Sequence, residues 1–277
     1  MSAPADIAPP PTVGISQVEP GAGAGDDREV AVAFENLSMT YPDGTEALRD
    51  INLTIRKGEF VSFIGPSGCG KSTLARIASG LLTHTDGTVR IDRDHLAFVF
   101  QEATLLPWRK TLQNVELMME LRGVPAAERR RKALEQMEAV GLKGFEDRFP
   151  RALSGGMKMR ASLARSLSLE PSVFLFDEPF GALDEITREK LIEDLAALHR
   201  EKQFTGFFIT HSIPEAVYLS DRVVVMSARP GRIHSEFKVN LPSPRTGDMR
   251  FGAAFTDGRA QVSKSLQETM QPGDGAI

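Results

Sequence analysis

One nine-residue stretch restricts the fold of this chain more than any other. Residues 65–73 read GPSGCGKST and follow the apolar run FVSFI at 60–64. An apolar run without alternation suits a strand buried on both faces, as in a parallel sheet covered by helices. After the stretch, Leu74, Ile77, Ala78 and Leu81 recur at i, i+3, i+4 and i+7, one face of a helix, and Gly80 suits its C-terminal end. The pattern G-x-x-x-x-G-K-[ST] between such a strand and such a helix is a phosphate-binding loop. Gly65, Gly68 and Gly70 let the backbone wrap closely around an anion, with Pro66, Ser67, Cys69 and Thr73 as the loop's other members. The loop N–H groups form an anion nest at the positive end of the helix dipole. Lys71 is placed to reach the outer phosphates of a nucleotide, and Ser72 to offer its hydroxyl to Mg²⁺. Cys69 reads as a small packing residue rather than a reactive thiol.

Further buried strands are predicted at LAFVF (96–100), VFLF (173–176), GFFIT (206–210) and RVVVM (222–226). Several end in polar residues, and such ends face the ligand crevice of an α/β sheet. Asp177 stands where a phosphate-loop enzyme places its Mg²⁺ partner. Glu178 points the other way if the strand continues, so it can orient an attacking water. Gln101 could reach Mg²⁺ and water, and His211 the outer phosphate. Taken singly, a Gln or His at a strand end is more often a helix cap or loop residue.

A second anion site is predicted at LSGGMKMR (153–160). Ser154, Gly155 and Gly156 precede a helical pattern that begins at Met157 and continues through Ala161, Leu163, Ala164 and Leu167. A small hydroxyl and two glycines at a helix mouth leave N–H groups pointing outward.

Earlier in the chain, Val30, Val32 and Phe34, then Leu37, Met39 and Tyr41, then Ile51, Leu53 and Ile55 alternate as strands, with a turn at Pro42-Asp43-Gly44. Residues 102–168 hold helical patterns and no strong strand, so the α/β core is expected to carry a helical insertion. Residues 1–28, rich in Ala, Pro and Gly, are expected to form a disordered tail, and 246–277 a partly disordered one with a short helix near 260–270. The folded domain is then 29–245.

Composition narrows the function classes. The net charge of −4 provides no global basic field for nucleic acid. The basic run at 128–132 sits among Leu134, Met137 and Val140, and is read as the solvated face of an amphipathic helix. Cys69 is the single cysteine, so no intrachain disulfide can form. No apolar run approaches the roughly 18 residues of a membrane span, and no secretory signal pattern opens the chain.

With these residues in order, roughly residues 32–240 resemble the ATP-binding cassette (ABC) ATPases, the motor subunits of membrane transporters. The carrying residues are Tyr41, the loop 65–73, Gln101, the signature LSGGM, Asp177 with Glu178, GALD ending at Asp184, and His211. The resemblance implies an α/β fold: a P-loop NTPase core with a mainly parallel sheet, an antiparallel β subdomain and a helical insertion. It implies that Tyr41 stacks on adenine and that Gln101 is the Q-loop glutamine. It makes Asp184 the D-loop acid and His211 the switch histidine. It also implies that Ser154 and Gly156 meet the outer phosphate of ATP held by a second chain.

QEATLLPW (101–108), LSGGM and FDEPFGALD (176–184) are similar to the nitrate, sulfonate and taurine importer group. That group often has Met where Met157 replaces the Gln of most cassettes. Implied with it are ATP and Mg²⁺, a homodimer of ATPase subunits, transmembrane permease subunits and a separate solute-binding protein, at the cytoplasmic face of the inner membrane. Leu105, Leu106, Pro107 and Trp108 would dock a permease helix; intradomain core is the alternative reading of Trp108. The other functional readings are the motor of an exporter or lipid transporter, and a soluble cassette ATPase.

Overall fold

The computed structural model describes residues 13–19 and 27–270. Its main sheet has seven strands in the order β1 (Gly14–Val18), β10 (Arg232–Asn240), β9 (Arg222–Ser227), β4 (Phe60–Ile64), β8 (Thr205–Ile209), β7 (Val173–Asp177) and β6 (Leu96–Val99). The five strands from β9 to β6 are parallel, whereas β10 and β1 run antiparallel at one edge. The run FVSFI is thus the middle strand, buried at all five positions. Phe60 and Ile64 face the side covered by most of the helices, and Val61 and Phe63 face the other. Each such side chain contributes about 1.5–3 kcal/mol of burial.

Register aligns the carboxyl ends of these strands. Phe63 pairs with Ile209 of β8 and Val224 of β9, and Asp177 of β7 also pairs with Ile209. The loops after β4, β7 and β8 therefore leave the sheet at one edge, where the chemistry-bearing residues were expected.

The second sheet is antiparallel, in the order β3 (Glu46–Arg56), β2 (Val30–Thr40), β5 (Asp86–Ile91). It packs with α1 (Lys71–Ala78) against the Val61 and Phe63 face. The two alternating runs around Phe34 and Leu37 are one strand, not two. Their phases differ because the register shifts between these residues, where Asn36 takes a positive φ of 50°. Tyr41 falls just beyond the end of β2. Leu81 does not extend the buried face of α1: the helix ends at Ala78, Gly80 turns at φ 80°, and Leu81 is exposed.

Residues 102–168 hold α2 (Thr111–Leu121), α3 (Ala126–Ala139), a 3₁₀ turn and α4 (Gly155–Leu167), and no strand. The basic run lies on α3, which buries Ala133 and Met137; Arg131 pairs with Glu135 and Lys132 with Glu170. The remaining helices are α5 (Glu185–Lys202), α6 (Ile213–Leu219) and α7 (Ala253–Glu268).

Both ends of the chain correct the sequence reading. Residues 14–18, inside the stretch expected to be a disordered tail, form strand β1 and pair with β10 from Gly14↔Asn240 to Val18↔Glu236. The expected short helix near 260–270 is the sixteen-residue α7, with Phe255 and Val262 buried. A patch of apolar area supplied by the opposite end of the chain orders each of them: Ile15 of β1 packs against Gly258 of α7. The rest of the expected tails, 1–12, 20–26 and 271–277, lies outside the described residues. Among the described residues no helix is long and apolar enough to cross a membrane.

Candidate active site

The loop 65–73 joins the middle strand to α1. Gly70 caps α1 in the left-handed region at φ 93° and offers the helix N-terminus no side-chain cap. In contrast, α4, α5 and α6 are capped by their own Ser154, Asp184 and Ser212 side chains. The mouth of α1 thus keeps N–H groups for an anion. The Lys71 ammonium curls over the loop, donating to Gly65 O (2.8 Å) and Pro66 O (3.1 Å). It also lies 3.5 Å from Cys69 Sγ. Burial pushes the Cys69 thiol above its ordinary pKa, which fits a packing role and not a reactive thiolate.

A cleft of about 390 Å³ opens over this loop. Tyr41, Ser67, Gly68, Cys69, Gly70, Lys71, Ser72, Thr73, Glu178 and His211 line it, together with Thr45, Glu46, Ala47 and Arg229. Tyr41 is tied to the loop, its hydroxyl 3.1 Å from Thr73 Oγ1. Behind the cleft, Ser72 Oγ donates to Asp177 Oδ1 at 2.9 Å. Glu178 turns off the end of β7 with φ 50°, and its Oε1 lies 2.5 Å from His211 Nε2. A non-glycine residue in that region is strained by roughly 1–2 kcal/mol.

The other expected residues lie outside the cleft. Gln101 is exposed, two residues past the end of β6, with its amide nitrogen near Gly181. The signature starts α4 at Gly155, two residues earlier than the sequence pattern suggested, because Ser154 Oγ accepts from Met157 N (3.3 Å). Gly156 sits where a Cβ would come within 2.6 Å of Thr187 on α5. The signature is therefore packed beside Asp184, whose carboxylate accepts from Thr187 N (3.0 Å) and is held below the usual range by that bond.

The chain matches the ABC transporter family over residues 48–181. An uncharacterized ABC transporter ATP-binding protein of Methanocaldococcus jannaschii is 43% identical over 253 residues, 88% of this chain and 94% of that one. The chain belongs to the ABC transporter ATPases. An aliphatic sulfonates import ATP-binding protein of Bacillus licheniformis is 43% identical over 242 residues, covering 83% of this chain and 92% of the relative. Among solved structures, the dimeric post-hydrolysis state of an ATP-binding cassette bound to ADP and Pi superposes with a TM-score of 0.67 at 35% identity. It spans 75% of this chain and 98% of that one. A subunit of an ABC transporter complex from Clostridium perfringens gives 0.72 at 25% identity, over 87% and 97% of the two chains.

The donor set of this ABC ATPase suits Mg²⁺. Among the described residues no three His, Cys, Asp or Glu side chains converge as a self-sufficient metal site. One hydroxyl and one carboxylate meet instead, at Ser72 and Asp177, and Mg²⁺ is commonly held by one or two carboxylates plus phosphates and water.

Sequence reasoning missed two polar groups here. Arg229 gives no spacing signal; it reaches the cleft from the turn after β9, the parallel neighbour of β4. Glu215 lies hidden inside α6. It accepts from Thr210 Oγ1 at 2.5 Å, and Ser212 N donates to the same hydroxyl at 3.0 Å. Glu215 thereby fixes the turn that carries His211, and its burial raises its own pKa.

Proposed function

We propose that this chain is the ATP-hydrolysing motor subunit of a membrane importer for a small anion such as an aliphatic sulfonate, taurine or nitrate. The observation that carries the motor reading is the convergence of Lys71, Ser72 with Asp177, and Glu178 with His211 at one sheet edge. The importer reading is supported by relatives named for aliphatic sulfonate import, one from Bacillus licheniformis and one from Bacillus cereus at 44% identity over 248 residues.

In this reading the α1 mouth and Lys71 hold the phosphates, and Tyr41 stacks on the base. Ser72 and Asp177 would hold Mg²⁺, which would neutralise charge on the phosphates, and Gln101 would join them from the loop after β6. Glu178 orients the attacking water, and His211 fixes the Glu178 carboxylate and faces the outer phosphate. Ser154 and Gly156 lie away from their own chain's cleft, so they complete the site of a second copy. Two copies then enclose two nucleotides. The motion passes to permease subunits on the cytoplasmic side of the membrane through the loop after Gln101, and a separate binding protein delivers the solute. Trp108 in that loop is 70% exposed, which favours docking over a core role.

The test is uptake of radiolabelled taurine, an alkanesulfonate and nitrate by cells lacking this chain and by cells given it back. Loss and recovery of uptake for at least one is expected, with no recovery by Glu178→Gln. Unchanged uptake of all three would reject the small-anion importer reading.

A further inference from the structure

We propose that Arg229 is a nucleotide-binding residue whose guanidinium contacts the phosphates of the bound nucleotide. The proposal rests on the nucleotide reading of the cleft and adds a cation to it that no motif announces. Arg229 lines the cleft alongside Lys71 and Tyr41. It lies in the turn between β9 and β10, which is bonded to the start of β3 and passes close to the phosphate loop. Gly231 N donates to Ala47 O at 3.0 Å, and Arg49 N donates to Gly231 O at 3.0 Å. A Cβ on Gly231 would lie 2.1 Å from Cys69 O, so only glycine permits this approach. The turn and the loop therefore keep a fixed relation, and Arg229 stands two residues from their point of contact.

Charge then selects the partner. Glu46, one of the two acids in the lining, is already paired with Arg49. Glu178 is engaged by His211. Among the described residues no hydrogen bond or ion pair engages the Arg229 guanidinium. An arginine in a phosphate cleft with its acids already partnered has the anionic part of the nucleotide as its complement. Its backbone has φ 58°, a region that favours glycine. An arginine held there gains nothing from its backbone, so what it contributes lies in its side chain.

That φ also supplies a clean variant. Arg229→Gly removes the guanidinium and relaxes the backbone, so a structural role and a binding role predict opposite results. Affinities for ATP and GTP would be measured by calorimetric titration on the unaltered chain, Arg229→Gly, Arg229→Lys and Lys71→Ala, with melting temperatures. Expected is a fall of about tenfold in affinity for both nucleotides in Arg229→Gly, with no fall in melting temperature and partial retention in Arg229→Lys. Arg229→Gly binding ATP as tightly as the unaltered chain overturns the inference. So does a loss confined to ATP, which marks a base contact, or a loss matched by Arg229→Lys together with a lowered melting temperature, which marks a structural role. If the unaltered chain bound no nucleotide, the reading of the cleft would fall first and this inference with it. If it binds and Lys71→Ala does not, an unaffected Arg229→Gly rejects this inference alone.

Discussion

Glu178 Oε1 and His211 Nε2 lie 2.5 Å apart, each just past the end of one of two neighbouring parallel strands. The contact follows from register: Asp177 pairs with Ile209, and Glu178 N donates to Ile209 O at 3.0 Å. The imidazole thus fixes a carboxylate at the edge of the cleft. Replacing Glu178 by Gln keeps the shape and removes the charge that, in the proposed mechanism, orients water. Steady-state phosphate release should fall by about 10²-fold or more, the range of a positioned acid–base group. ATP affinity should stay within about twofold. Turnover at the unaltered rate would take Glu178 out of the chemistry.

His199 gives the chain a pH signature remote from the cleft. Its ring packs edge-on against Phe60 and Phe204, with centroids 5.1 Å away in each case, and Nε2 donates to Gly58 O at 3.2 Å. Burial holds its pKa below the ordinary value of 6.5. The folded state therefore binds fewer protons than the unfolded one, and this share of stability is present above about pH 6.5 and lost as pH falls through the depressed folded value. In His199→Phe the denaturant midpoint should fall less steeply below pH 6.5 than in the unaltered chain. Parallel slopes for the two would show that another group carries the acid sensitivity.

How much of this was legible follows from where the signals are local. The phosphate loop, the buried strands and the acids at 177 and 178 are contiguous in sequence, and their strand–loop–helix context can be read without tertiary knowledge. Strand β1 could not be found that way. Its five residues are ordered by β10 and α7, more than two hundred residues away. The Gly258 contact with Ile15 has no sequence counterpart. Arg229 was missed because only the packing of its turn beside the phosphate loop gives it meaning, and Glu215 because its bond to Thr210 has no motif behind it. The start of α4 was misplaced because two glycines at Gly155 and Gly156 argue against a helix locally, while the Ser154 cap and close packing on α5 decide for it.

Arg165 links the loop after Gln101 to the helix that the signature begins. Buried on α4, it donates to Thr104 O (2.9 Å), Ala103 O (3.0 Å) and Thr104 Oγ1 (2.9 Å). Its partners are carbonyls and hydroxyls, and desolvation lowers its pKa. Arg165→Met keeps the stem and leaves these acceptors without their donor. A loss of about 2 kcal/mol in unfolding free energy is expected, the typical cost of orphaned polar groups. ATP turnover should fall less than in Glu178→Gln. An unchanged unfolding midpoint would show that the loop does not need this anchor.

Deleting residues 1–19 should weaken the fold without touching the cleft. The deletion removes β1, strips β10 of its outer partner and uncovers the face of α7 that Ile15 covers. Burial of one isoleucine alone is worth about 1.5–3 kcal/mol. The melting temperature should drop by several degrees while ATP affinity is retained. A truncated chain that melts with the full one would mean that β1 adds nothing to stability.

The position of the signature makes the most searching test. Ser154 and Gly156 do not line the cleft of their own chain; Ser154 caps α4 and Gly156 packs against α5. If they complete the site of a second copy, Lys71→Ala and Ser154→Arg should each be inactive alone. The first fails to hold phosphate, and the second fills the helix mouth with a bulky cation. In a heterodimer of the two, one site collects both lesions. The other pairs an intact Lys71 with an intact Ser154. Mixing should therefore restore phosphate release, or an ATP-dependent dimer mass if turnover needs both sites. Were each site built from one chain, every site in the mixture would carry a lesion and no recovery could occur. A mixture with demonstrated heterodimers that stays as inactive as its components in both assays would refute assembly of the site from two chains.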